Sequence, residues 1–184
     1  MKPSPQDTLT ATKAPSIIGL DIGGTKVACV EGTADGSILA RQEAPTLASE
    51  SFAKRFPEVV AMVNSRLTEA LAAGRQVTAL SVSIGGPLKI SEDHLLNPPH
   101  LPGWHTVRLK EHLAGAFPQL PVFIEHDGNA GALAEFHFGV GHGRSDLRHL
   151  IFVTFGTGLG AGFGDVASLM AALTDRVCGT LRRR

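Results

Sequence analysis

Apolar residues follow two rhythms along this chain. Up to residue 41 they come in three short β-like runs, 16–22, 27–30 and 37–41, broken at Gly23-Gly24 and at Asp35-Gly36. Glycine after aspartate is a strong hairpin signal, so three consecutive antiparallel strands are expected. Over 52–73 the rhythm becomes helical. Val59, Met62, Val63, Leu67, Ala70 and Leu71 recur on one face, and Gly74 stands where a C-terminal cap belongs. Leu80, Val82 and Ile84 then alternate with Ser81 and Ser83 as a strand that stops at Gly85-Gly86-Pro87. A long loop rich in proline and glycine, 88–105, comes next. Loops of that length in compact domains are usually functional or disordered, and Trp104 within this one favours order. A short helix over 108–116, a strand over 122–124, a helix over 129–138 and a strand over 149–155 complete the order βββαβαβαβ. That order predicts an α/β fold built on a mixed β-sheet.

Composition narrows the partners. With 184 residues, 43% of them apolar, the chain can bury a core of one domain or one and a fraction. Lysine plus arginine and aspartate plus glutamate each number 17, so no basic field collects nucleic acid. No apolar run reaches a membrane span: Gly19, Asp21 and Lys26 interrupt the first candidate and the Thr154-to-Gly158 stretch caps the last. Cys29 and Cys178 lack CxxC spacing and no secretory apolar region precedes them, which predicts a reducing, cytoplasmic compartment without disulfides. His137 and His142 have no cysteine or paired carboxylate at ligand spacing, so no metal centre built from side chains alone is expected. Residues 1–15 read as a flexible leader too short for a DNA-binding helix-turn-helix, and Arg182-Arg183-Arg184 as a solvated tail.

Three stretches carry chemistry. In Asp21-Ile22-Gly23-Gly24-Thr25-Lys26 the glycines allow a tight hairpin whose N–H groups can face an anion, Thr25 adds a hydroxyl, Lys26 a positive charge, and Asp21 a carboxylate suited to holding Mg²⁺ through water. An ordinary Gly-Gly hairpin fits the same spacing. It is not a Walker A loop, because β-formers follow where that loop opens a helix. Gly156-Thr157-Gly158-Leu159-Gly160 is a second glycine-rich turn after an apolar run, and two such turns can grip one polyphosphate from two sides. From Gly156 to Ala161 it also fits a dinucleotide fingerprint, provided that a helix follows. Asp127 stands between a strand and a helix, at a sheet edge where side chains face a ligand. It can take a proton from an attacking hydroxyl or cap the helix that follows. Asn129 and Glu125 can each orient a substrate or face solvent.

Together these motifs resemble the amino-terminal portion of a ROK-family sugar kinase, the bacterial glucokinase-like group within the actin/hexokinase/Hsp70-like (ribonuclease H-like) ATPase fold. The likeness runs over 17–163 and rests on five stretches in the family's order. Asp21 to Lys26 resembles the first phosphate loop. Ser83-Ile84-Gly85-Gly86-Pro87 resembles the sugar-side glycine turn, and Pro99-His100-Leu101-Pro102-Gly103-Trp104 the sugar-contacting loop. Glu125-His126-Asp127-Gly128-Asn129-Ala130 resembles the catalytic stretch, and Phe155 to Gly160 the second phosphate loop.

The resemblance implies ATP and Mg²⁺ as cofactors, a small-molecule sugar as substrate, and Asp127 as general base. It further implies phosphate binding by Gly23, Gly24, Thr25, Lys26, Gly156, Thr157 and Gly158, with Asp21 toward Mg²⁺. Sugar binding falls to Gly86, His100, His126 and Asn129, and a homo-oligomer stays open. Two positions depart from the family: His126 and His100 stand where asparagine is usual. The expected division is 1–15 leader, 16–163 kinase lobe with the start of a second, and 164–184 a tail unlike the family, as a frameshift or early stop would leave. With the rest of the second lobe missing, an apolar face of the cleft would stand exposed, and a non-catalytic sugar-binding remnant is the rival reading.

Overall fold

The computed structural model describes residues 14–46, 49–89, 94–155 and 159–165. Strands β1 (Ala14–Ile22), β2 (Lys26–Gly32) and β3 (Ile38–Pro45) form the expected antiparallel meander, and β1 begins already at Ala14. At the second turn Gly36 adopts φ 86, and Asp35 accepts from the hydroxyl of Thr33 and from Ser37 N, an aspartate turn that sets the strand register. Helix α1 (Phe52–Ala72) crosses over to β4 (Arg75–Ile84), which lies parallel to β1. Gly74, at φ 72, closes α1 by donating to Leu71 O at 3.0 Å.

Then come two short paired strands, β5 (Leu88–Lys89) and β6 (His94–Leu95), a 3-10 turn (Pro102–Trp104) and helix α2 (Leu109–Ala116). Strand β7 (Val122–His126) lies parallel to β4, and the five-stranded sheet runs β3-β2-β1-β4-β7. Helix α3 (Asp127–Phe138) leads to a separate antiparallel pair, β8 (His149–Phe155) and β9 (Leu159–Asp165).

One face of the sheet makes the core. Ile18, Leu20 and Ile22 of β1, Val27 and Cys29 of β2, Leu80, Val82 and Ile84 of β4, and Val122 and Ile124 of β7 pack under Val59, Met62 and Val63 of α1 and Leu109 and Leu113 of α2. Each large aliphatic side chain buried there contributes about 1.5–3 kcal/mol. Of the apolar positions expected on α1, Leu71 departs: at the rim of the last turn it is exposed. Cys29 is free, and burial, against a weaker pull from Arg66, pushes its thiol up to about 11, so it serves as an inert core residue.

β9 was not expected, because three of its seven residues are glycines. One of them, Gly162, serves close packing against α3, as Gly131 does from the α3 side. A Cβ on Gly162 would lie 2.0 Å from Gly128 O, and one on Gly131 would lie 2.4 Å from the Phe152 ring, so α3 sits directly on the β8–β9 pair. Gly131→Ala is therefore expected to lower stability by about 1–2 kcal/mol through overpacking. Urea unfolding of the variant checks this, with Ala132→Gly as the control for altered helix propensity. Ile151, Val153 and Phe155 lie exposed on the other face of β8.

Candidate functional site

The parallel strands β1, β4 and β7 end on the same edge of the sheet, the edge where α/β proteins bind ligands. There the register aligns Asp21 with Ser83 and Ser83 with Glu125, on the face opposite the apolar core. Asp21 is exposed, and its carboxylate makes no hydrogen bond or ion pair with the described residues. Beyond that row lie the turn from Gly23 to Lys26, the Gly85-Gly86 turn and the start of α3.

The first turn is held from behind. Gly23 N donates to Lys26 O at 3.0 Å, while Thr46, at the end of β3, donates its hydroxyl to Gly23 O at 2.6 Å and its N–H to Thr25 O at 3.0 Å. The N–H of Gly23 is thus spent inside the turn, which leaves Gly24 and Thr25 to face an anion. Lys26 Nζ rests on Glu43 Oε1 at 3.0 Å, and Arg41 shares that carboxylate. Lys26, then Arg41, holds the Glu43 carboxyl below its ordinary value. Both partners of the Lys26 pair are exposed, so the pair is weak and lysine is readily given up to a phosphate.

The sugar-side stretch is clasped to this turn. Gly86 adopts φ 107, and a Cβ there would lie 2.9 Å from Pro98. A Cβ on Gly24 would lie 2.6 Å from His100 Cβ and 3.2 Å from His100 O. The two loops that the sequence assigned to different ligands therefore touch at Gly24 and His100. Below them Trp104 is buried edge-on against Phe52, ring centroids 5.0 Å apart, and fixes the loop to α1. Gly24→Ala must push the backbone of His100 away. It is expected to raise the KM for sugar about tenfold with a smaller change in kcat, measured by steady-state kinetics over a sugar titration.

Asp127 is the first residue of α3, not its cap. The cap is His126, whose Nδ1 accepts from Gly128 N at 3.2 Å, and Asp127 Oδ1 accepts from the same N–H at 2.7 Å. A histidine ring replaces the expected aspartate cap because residue 126 still has extended backbone and turns its side chain toward the free N–H groups. His126 Nδ1 also lies 3.1 Å from Asp127 Oδ1. The other carboxylate oxygen, Oδ2, faces Gly85, where a Cβ would come within 3.0 Å of it. Asn129 Nδ2 donates to Glu125 Oε1 at 3.0 Å, so these two side chains orient each other.

Gly156, Thr157 and Gly158 lie outside the described residues. Strand β9 begins at Leu159, paired with Phe155, where a dinucleotide fingerprint requires a helix, and the dinucleotide reading falls. The contact of Gly128 with Gly162 brings this strand pair against the turn of α3 that carries Asp127. Among the described residues no three of His, Cys, Asp and Glu gather as a metal cluster, and no helix is long and apolar enough to cross a membrane. Sequence reasoning passed over Thr46, since nothing local marks a threonine that braces a turn distant in sequence. It did not single out Gly85 either, although the doubled glycine was the available signal.

Comparison with known proteins supplies the relationship. Residues 17–165 match the model of the ROK family. The chain is 33% identical over 145 residues to a glucokinase of Streptomyces coelicolor, an alignment covering 79% of this chain and 42% of that protein. Among solved structures it is similar to a ROK family glucokinase from Streptomyces griseus in complex with glucose and AMPPNP, at 30% identity and TM-score 0.65, covering 80% of this chain and 44% of the other. A ROK family transcriptional regulator, a homologue of the E. coli MLC protein, shares the fold at 20% identity and TM-score 0.71, over 83% of this chain and 37% of that one. The chain thus spans less than half the length of these relatives.

Proposed function

The chain belongs to the ROK family, and we propose that it serves ATP-dependent phosphorylation of a hexose at its 6-hydroxyl, in the cytoplasm. The observation that carries this reading is the placement of Asp127. Its Oδ2 is turned to the Gly85-Gly86 turn, and the neighbouring sugar-side loop is clasped through His100 to the first phosphate turn. A sugar hydroxyl held at Gly86, His100, His126 and Asn129 would present its proton to Asp127 and its oxygen toward a phosphoryl group. Gly24, Thr25 and Lys26, together with Gly156, Thr157 and Gly158, would hold that phosphate, and Gly23 would shape the turn. Support comes from the related glucokinase and from the related structure that holds glucose with AMPPNP.

Mg²⁺ fits the same edge. It is commonly bound through one or two carboxylates, phosphate oxygens and water, and the free, exposed carboxylate of Asp21 at the end of β1 is such a ligand. Bound there, it would neutralise phosphate charge. Positioning of two reactants and removal of one proton is the work left to the protein.

The test is sugar-dependent ADP formation by the purified chain over a panel of hexoses, with sugar protection in a thermal melt measured alongside. ADP formation with one or more hexoses is the expected result. Protection without ADP formation would make the chain a sugar-binding regulator, and absence of both would remove the sugar reading.

A further inference from the structure

Behind the two clasped loops lies a cavity of about 10 Å³, lined among others by Ala44, Pro45 and Thr46 at the end of β3, Arg55 and Met62 of α1, and Trp104 of the sugar-side loop. That volume is close to the space one water molecule needs, and too small for anything larger. Trp104 is 1% exposed, yet its Nε1–H has no acceptor among the described residues. Buried indole N–H groups usually find one, and a buried donor without a partner calls for an explanation.

Acceptors line the same cavity. Pro45 O receives Arg55 Nη2 at 2.8 Å and keeps a second lone pair. Thr46 Oγ1 uses its proton on Gly23 O at 2.6 Å and keeps its lone pairs. What is missing is a small group that accepts one hydrogen bond and donates two. The Arg55 guanidinium in the wall is paired with Glu58, which lines the same cavity, so the wall favours neither sign of charge, and the size leaves no room for a hydrated cation or an anion such as phosphate.

We infer that this cavity binds a single water molecule, which accepts from Trp104 Nε1–H and donates to Pro45 O and Thr46 Oγ1. Thr46 braces the phosphate turn and Trp104 anchors the sugar-side loop, so this water joins the two from behind as the Gly24–His100 contact joins them in front. Its presence does not depend on the lobe transferring phosphate.

Trp104 is the single tryptophan of the chain, so one indole N–H resonance reports the site. In the ¹⁵N-labelled full chain the expected result is a cross-peak between that indole proton and water, with the sign of a long-lived complex. The peak should persist in Thr46→Val, where Trp104 and Pro45 still hold the water, and vanish in Ala44→Val, which fills the cavity. Val27→Ile fills it from β2 should Ala44→Val not fold. Absence of the peak in the native chain overturns the proposal. So does its loss in Thr46→Val, which marks relay through the threonine hydroxyl, or its survival in a folded cavity-filling variant.

Discussion

Asp127→Asn is expected to lower sugar-dependent ATP turnover by about three orders of magnitude while changing sugar affinity by less than about threefold. The two effects separate because the carboxylate has two jobs on different oxygens. Oδ1 accepts from Gly128 N at 2.7 Å, and an asparagine carbonyl oxygen can do the same. His126 accepts from that N–H as well, so the start of α3 should keep its shape. Oδ2, facing Gly85, is the oxygen assigned to receive the hydroxyl proton. An amide nitrogen there is a donor and takes no proton. A fall confined to kcat marks an interaction made at the chemical step, whereas a rise in KM with kcat kept would mark a binding role. Retained turnover would remove Asp127 as the base, and equal losses of sugar binding and turnover would point to a collapsed site.

Much of this site was legible because its parts are local. Asp21 to Lys26, Gly85-Gly86 and Asp127 each sit where an apolar strand pattern stops, and strand ends in a parallel sheet share one edge. The helix face of α1 and the alternation of β4 were equally plain, since one periodicity fixes each. What escaped was set by contacts between distant segments. Thr46 braces Gly23 and Thr25 only after β3 folds back along β2. β9 hid behind Gly160, Gly162 and Gly164, which lower strand propensity. Their alternation with Leu159, Ala161 and Phe163 was nevertheless a period-two signal, and at Gly162 the close approach of α3 supplies the reason. Of the two roles left open for Asp127, the cap falls to its neighbour His126, a displacement of one residue that is usual where a strand passes directly into a helix.

The largest stability effect is expected away from the site, at Glu31 and Arg75. Glu31 lies on the core side of β2 with no solvent exposure, and Arg75, at the start of β4, grips both its oxygens, Nε to Oε1 at 2.7 Å and Nη2 to Oε2 at 2.8 Å. The Arg75 hydrogen bonds hold the carboxyl below its ordinary value of 4.5, against the opposing push of burial. A lowered folded value means that the pair's stabilisation is complete above the unfolded value and fades as pH falls through the folded one. Arg75→Met takes from the buried carboxylate the partner that grips both its oxygens, and the expected loss is about 3 kcal/mol at pH 7, the lower end for a broken buried pair because the Arg75 side chain is 25% exposed. Without Arg75 the carboxyl has burial set against only the Ser16 hydroxyl and the Arg66 charge, so its value rises from that of the native chain and acid removes the charge from the variant first. The gap to the native chain should therefore shrink between pH 7 and pH 4 in urea unfolding. Glu31→Gln combined with Arg75→Met should recover most of the loss at pH 7, since no buried charge remains. A gap that stays constant with pH would show that Arg75 acts through packing of its stem rather than through the charge it presents to Glu31.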